Sequence, residues 1–193
     1  DLKTRPAVPA GEGCIDFECA GIKLKLAQDA AVFSRGRVDP GTLMLLETLG
    51  ELPKGRNALD LGCGCGVAGV FMKLKGAASV TSTDISAAAL ALTKKNAELN
   101  GAEIKIRAAD SLDFDGKFDL IAVNPPFHQG SGFERQTALG IIKKAAEHLN
   151  PGGELRLVGN TFLGYGNYLR EAFSTVDVLA KDTRFCVYGA RNG

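Results

Sequence analysis

From Gly55 onward the chain alternates short β-rich runs with stretches whose apolar residues recur at helical spacing. No other feature limits the fold as much. Asn57–Leu61, Ser79–Asp84, Ile104–Ala108, Phe118–Val123 and Glu154–Val158 are predicted strands, and Val67–Lys75, Ser86–Asn100 and Glu134–Leu149 predicted helices. In the middle helix Ala89, Leu92, Asn96 and Leu99 share a face, Ser86 caps the start, and Asn100-Gly101 tolerates the left-handed turn that ends it. Strands joined through helices run parallel with right-handed crossovers, which predicts an open α/β sheet covered on both faces. The ends read differently. Ile15–Cys19 and Ile22–Leu26 around Ala20-Gly21 predict a small hairpin. Val176–Leu179 and Phe185–Tyr188 predict another, which finishes the sheet edge with an antiparallel strand.

The 193 residues suffice for one well-buried domain and are short for two. The expected division is a leader and hairpin over 1–26 followed by one domain over 27–193, with Pro6, Pro9, Gly11 and Gly13 loosening the first dozen residues. The first residues, Asp1 to Pro6, lack an initiator Met and the apolar stretch of a signal peptide, so a processed or truncated start is expected. No apolar run approaches the roughly 20 residues of a membrane span. Five cysteines, an odd number, argue for a reducing compartment and a cytoplasmic location rather than a disulfide framework. Cys63 and Cys65 are spaced too closely for a CxxC metal or redox pair, and with two histidines in the chain no metal site is expected. Net charge is +1, and although residues 135–193 carry eight basic and five acidic groups, charge alone gives no basic footprint for nucleic acid.

The first strand of the alternating region runs into Asp60-Leu61-Gly62-Cys63-Gly64-Cys65-Gly66, which opens a helix. Glycines there allow a sharp turn and let a ligand approach the backbone, and the helix start offers unpaired N–H groups. Asp84, twenty residues after Gly64 at the end of the second strand, is placed to accept hydrogen bonds from ribose hydroxyls, with Ile85 beside it. The pattern alone serves NAD or S-adenosylmethionine. Asp60 before the loop, the compressed GxGxG spacing and Asp110-Ser111 after the third strand, placed for an adenine amine, favour the methyl donor.

The strand Phe118–Val123 runs into Asn124-Pro125-Pro126-Phe127. Two prolines fix the chain direction, so the Asn124 side-chain carbonyl and the Pro125 main-chain carbonyl can both face one NH₂ group. Such a pair would orient a nitrogen lone pair toward a donor methyl and reject substrates without N–H donors. Phe127 offers a ring for a planar base or amide to stack on. His128 either accepts the amine proton or only lines a substrate loop.

With both motifs in place the chain resembles the ribosomal RNA guanine-N2 methyltransferases of the RsmC/RlmG type, in their small methyltransferase (MTS) domain. The resemblance is carried by Val32-Phe33-Ser34-Arg35, Val38-Asp39-Pro40-Gly41-Thr42, Asn124-Pro125-Pro126-Phe127-His128, His148 to Val158, Asn160-x-Phe162-Leu163-x-Tyr165 and Arg184-Phe185-x-Val187-Tyr188, and spans roughly 22–190. It implies a Rossmann-like class I methyltransferase with a seven-stranded, mostly parallel sheet, an antiparallel edge strand and helices on both faces. By the same resemblance S-adenosylmethionine is the cofactor, held by Asp60, Gly62, Gly64, Gly66, Asp84, Ile85, Asp110, Ser111 and Asn124. Asn124, Pro125, Pro126 and Phe127 would hold a guanine amine. Phe33, Ser34 and Arg35 would border the substrate entrance, although Asp39 capping a helix near Pro40 explains that segment equally well. The partner implied is ribosomal RNA or a ribosomal subunit, small-subunit 16S rRNA being favoured, with neither membrane nor metal. Members of that family usually carry a preceding, degenerate methyltransferase-like domain. Two readings of the same motifs stay open: methylation of a protein glutamine or small-molecule amine, and a non-catalytic S-adenosylmethionine-binding subunit. The sequence sets no oligomeric state.

Overall fold

A computed structural model describes residues 13–27, 37–50, 54–125 and 132–192, with the side chains of 132–138 excepted. Strands β1 (Cys14–Cys19) and β2 (Ile22–Ala27) form an antiparallel hairpin. Its two-residue turn has Ala20 at φ 46° and Gly21 at φ 76°, the paired positive angles that match the twist of a tight hairpin. Then follow α1 (Pro40–Leu49), β3 (Asn57–Leu61), α2 (Val67–Leu74), β4 (Ser79–Asp84), α3 (Ala87–Leu99), β5 (Lys105–Ala108) and β6 (Phe118–Val123). The chain continues through α4 (Gly132–His148), β7 (Leu149–Asn160), a 3-10 turn (Thr161–Leu163), α5 (Tyr165–Ala172), β8 (Thr175–Lys181) and β9 (Phe185–Arg191).

The main sheet has seven strands in the order β5-β4-β3-β6-β7-β9-β8. Pairings from β5 through β7 are parallel, and β9 enters antiparallel between β7 and β8. The hairpin expected to finish the sheet does so: β8 forms the edge and pairs antiparallel with β9. The strand expected over Glu154–Val158 is longer: β7 starts at Leu149, which pairs with Phe118 of β6, and runs to Asn160, which pairs with Phe185 of β9.

Alternation along the strands divides the core. Ala58, Leu120, Ala122 and Val158 face α1, α2 and the hairpin, packing with Leu45, Leu46, Val70 and Phe71. Leu59, Leu61, Ile121, Leu155 and Leu157 face α4 and α5, packing with Ile142, Ala145, Tyr165 and Leu169. Helix α5 has no counterpart in the sequence reading, since glycines and polar residues interrupt its short apolar pattern. Phe162 and Tyr165, three positions apart, separate: Phe162 is 73% exposed, whereas Tyr165 is buried and lies so close over Gly159 that a Cβ there would collide with its ring.

The order of strands matters most for function. The chain builds β3, β4 and β5 outward, then returns across the sheet to start β6 on the other side of β3. In open α/β sheets this reversal leaves a crevice beyond the carboxyl ends of the two strands, where ligands bind.

Candidate functional site

At that reversal Leu61 and Val123 pair as the last residues of β3 and β6. The glycine-rich loop and Asn124-Pro125 therefore leave the sheet side by side, about 5 Å apart by ordinary strand spacing. On the other flank Asp84 pairs with Ala108 at the ends of β4 and β5. Asn124, the loop, Asp84 with Ile85, and Asp110 with Ser111 thus form one row along the carboxyl edge.

The loop is held open by three neighbours. Gly62, Gly64 and Gly66 have φ of 68°, 55° and 76°, where L side chains are strained. A Cβ on Gly62 or Gly64 would meet nothing within 4 Å, so the backbone there faces open space. Gly66 is different: a Cβ would fall 2.6 Å from the Thr93 methyl. Thr93 Oγ1 donates to the Gly64 carbonyl at 3.1 Å, so its single proton is committed and Cys63 Sγ, 3.2 Å away, is the donor to it. Burial, then the nearby Asp60, pushes the Cys63 thiol well above its usual range, which keeps it protonated for that bond. Asn96, one turn further along α3, donates to the Cys65 carbonyl at 2.8 Å and accepts from the Ala27 N–H at 2.7 Å, tying the loop to the hairpin. Nothing in the sequence singled out Thr93 as an anchor, because a Thr inside a helix has no distinctive pattern.

Asp84 Oδ2 accepts from the Gly64 N–H at 3.0 Å, and Oδ1 from the Ser86 N–H at 2.8 Å. Each oxygen retains a lone pair, so this half-buried carboxylate can still accept from a vicinal diol. Ile85 beside it is 75% exposed, an apolar side chain held at the crevice edge where a purine face could rest on it. Asp110 is exposed past β5, and Ser111 turns there with φ 56°. Open glycine backbone, a diol acceptor, an exposed apolar residue and a further carboxylate fit an adenosine-bearing donor.

Asp60 is placed otherwise. It shares a strand face with Ala58, toward α2, and is 4% exposed. Its Oδ2 accepts from the Gly69 N–H at 2.9 Å. Helix α2 begins after Gly66 without a side-chain cap of its own, so Asp60 satisfies an otherwise unpaired N–H of its first turn from the neighbouring strand. Burial raises the Asp60 pKa to about 7, with Asp84 adding to the rise and the Gly69 N–H opposing it.

Asn124 is half-buried, and both hydrogen bonds described for it use Nδ2: to Thr42 Oγ1 at 2.8 Å and to Asp39 Oδ2 at 3.1 Å. A carboxylate only accepts, so the amide orientation is fixed by its neighbour's chemistry. Oδ1 points the other way and no other described residue donates to it. Pro125 is buried directly after it. Pro126, Phe127, His128, Phe33, Ser34 and Arg35 lie outside the described residues. Among the described residues no group of three or more His, Cys, Asp or Glu side chains could hold a metal ion, and no helix is long and apolar enough to cross a membrane.

Residues 23–189 match the methyltransferase small domain family. Ribosomal RNA small subunit methyltransferase C of Haemophilus influenzae (strain PittGG) is 44% identical over 163 residues, covering 83% of this chain and 49% of that protein. The protein of the same name from Chromohalobacter salexigens is 40% identical over 178 residues, 90% of this chain and 53% of that one. The chain thus spans about half the length of the curated relatives it matches. Among solved structures, the T. thermophilus 16S rRNA N2 methyltransferase RsmC, in complex with AdoMet and guanosine, superposes with TM-score 0.84 at 29% identity, covering 97% of this chain and 52% of that one. The ribosomal protein L11 methylase from Lactobacillus delbrueckii subsp. bulgaricus, at TM-score 0.67 and 24% identity over 79% of each chain, shares the fold. On its sequence match and its seven-stranded sheet, this chain belongs to the methyltransferase small domain family.

Proposed function

We propose that this chain is the catalytic domain of an S-adenosylmethionine-dependent methyltransferase that modifies the exocyclic N2 amine of a guanine in small-subunit ribosomal RNA. The observation that carries the reading is the side chain of Asn124, held by its own NH₂ so that its carbonyl is left to accept, beside an open glycine loop. The relatives named for ribosomal RNA methylation, and the structure holding AdoMet with guanosine, support the substrate class. The same relatives support reading it as a cytoplasmic enzyme that acts on ribosomal RNA or a ribosomal subunit.

Bound at the row of Gly62, Gly64, Asp84, Ile85 and Asp110, S-adenosylmethionine supplies a sulfonium methyl, which leaves its sulfur as the amine nitrogen bonds to it. The residues of the chain do the positioning. Asp84 takes the ribose hydroxyls, and Ile85 shields the base. Asn124 Oδ1 accepts one amine hydrogen, and with the Pro125 carbonyl it turns the nitrogen lone pair toward the methyl. As the nitrogen acquires positive charge its hydrogens become stronger donors, so these bonds tighten in the transition state more than in the ground state. Alignment of this kind is worth several kcal/mol in general. The surplus proton leaves to water.

The test separates the two halves of the row. Asp84→Ala should weaken S-adenosylmethionine binding by about 10- to 100-fold in calorimetry, as expected for losing charge-assisted hydrogen bonds. Asn124→Ala should leave that affinity within about twofold and lower turnover by roughly 100-fold or more. Equal losses of donor affinity in both variants would refute the assignment of roles.

A further inference from the structure

We infer that Asp39 and Thr42, at the first turn of α1, are positioning residues for the transfer step, setting both the direction and the acceptor strength of Asn124. The inference rests on the amine-positioning reading of Asn124 and names what makes it possible. Both residues lie more than 80 positions away in sequence, yet they take the two hydrogens of the Asn124 amide. With those hydrogens committed, rotating the amide by half a turn would set Oδ1 against a carboxylate and a hydroxyl oxygen and leave Nδ2 facing the amine. That state would lose two hydrogen bonds and gain a repulsion, so the acceptor orientation is enforced before any substrate arrives.

The second effect is electronic. An amide N–H bonded to a carboxylate shifts electron density toward its own oxygen, since linked hydrogen bonds polarise one another. Asp39 therefore strengthens Oδ1 as an acceptor for a nitrogen that becomes positive during transfer. The same Asp39 oxygen accepts from the Thr42 N–H at 2.9 Å as the cap of α1, and from Thr42 Oγ1 at 3.3 Å. One carboxylate oxygen thus couples the start of a helix to the reacting residue. Gly41 lets them meet: a Cβ there would lie 3.1 Å from both Asp39 Oδ2 and the Phe185 ring.

Two substitutions separate this role from helix capping. Asp39→Ser keeps a good cap, because serine serves that position as well as aspartate, but serine is too short to reach Asn124. Thr42→Val keeps the shape and the backbone cap bond while removing the hydroxyl. Each should lower turnover on small ribosomal subunits about tenfold or more, with KM and S-adenosylmethionine affinity changed less than about twofold. Thr42→Ser, which restores a hydroxyl, should recover most of the loss. In an Asn124→Ala background neither substitution should lower turnover further, because the residue they act through is gone. Melting temperatures identify any variant that merely unfolds.

A readout independent of methyl transfer is the ¹⁵N–¹H resonance of the Asn124 side chain in the free protein, assigned by its loss in Asn124→Ala. Its protons should move upfield and exchange faster with water in Thr42→Val and Asp39→Ser. Unmoved resonances in both variants, or turnover losses that persist undiminished in the Asn124→Ala background, would overturn the inference. If wild-type protein transfers no methyl to ribosomal RNA, the substrate reading fails, and the resonances still decide whether Asp39 and Thr42 hold Asn124.

Discussion

A carboxylate next to a glycine loop invites a ligand-binding role, yet Asp84 and Asp60 occupy opposite environments. Asp84 sits half-buried at a strand end with lone pairs to spare, whereas Asp60 is enclosed against α2. The strand's period of two decides this: Asp60 falls on the face of Ala58, which is covered by a helix. Spacing could place Asp60 beside the loop but not assign it a face. Likewise, Asn124 was legible from Asn-Pro-Pro-Phe, whereas its partner Asp39 was legible only as a cap, because the 85-residue separation hides the contact. The raised Asp60 pKa has a measurable consequence. In the unfolded chain this group loses its proton near pH 4, in the native protein near pH 7. Between those values the native state binds more protons, so stability falls as pH rises through the window and levels off above it. Asp60→Asn removes this contribution and keeps an oxygen for the Gly69 N–H. Urea unfolding should therefore show the variant gaining on wild type by roughly 2–4 kcal/mol between pH about 4 and about 8. A constant difference across that range would mean that Asp60 ionises normally in the fold.

Elements with a strong local signal formed where the sequence placed them. Strands β3, β4 and β6 have the predicted limits, and α3 starts and stops at its predicted caps Ser86 and Asn100. What was not legible depends on distant chain. Helix α5 is short, and its buried Tyr165 and Leu169 are fixed by packing against the sheet. The glycine loop belongs to this scale too, because its shape is set by α3 through Thr93 and Asn96. Its glycines should therefore respond unequally. Gly66→Ala imposes a left-handed angle and drives a Cβ into Thr93, so denaturant unfolding should show a loss of about 2–4 kcal/mol. Gly62→Ala meets open space and should lose only the backbone strain, about 1–2 kcal/mol, while filling room where the donor would lie. Equal stability losses in the two variants would contradict the described loop.

Across the whole molecule, the alternation of strands and helices predicted a parallel sheet, and the strand order supplied what alternation could not: the point of reversal between β3 and β6. That point brings the two motifs, some 60 residues apart, to one edge. Phe33, Ser34, Arg35, Pro126, Phe127 and His128 of the sequence-derived site lie outside the described residues. The net charge of +1 over all 193 residues fits a domain that positions an amine more than one that grips a phosphate backbone. The central claim is that the acceptor of the methyl group is a guanine N2 amine. It is tested most directly by incubating the protein with radiolabelled S-adenosylmethionine and, separately, 16S rRNA, small ribosomal subunits and a glutamine-containing peptide, then digesting the labelled product to its components. The account predicts label recovered as N2-methylguanosine from RNA or subunits, and lost in Asn124→Ala. Label in N5-methylglutamine, or in any nucleoside other than N2-methylguanosine, would contradict it.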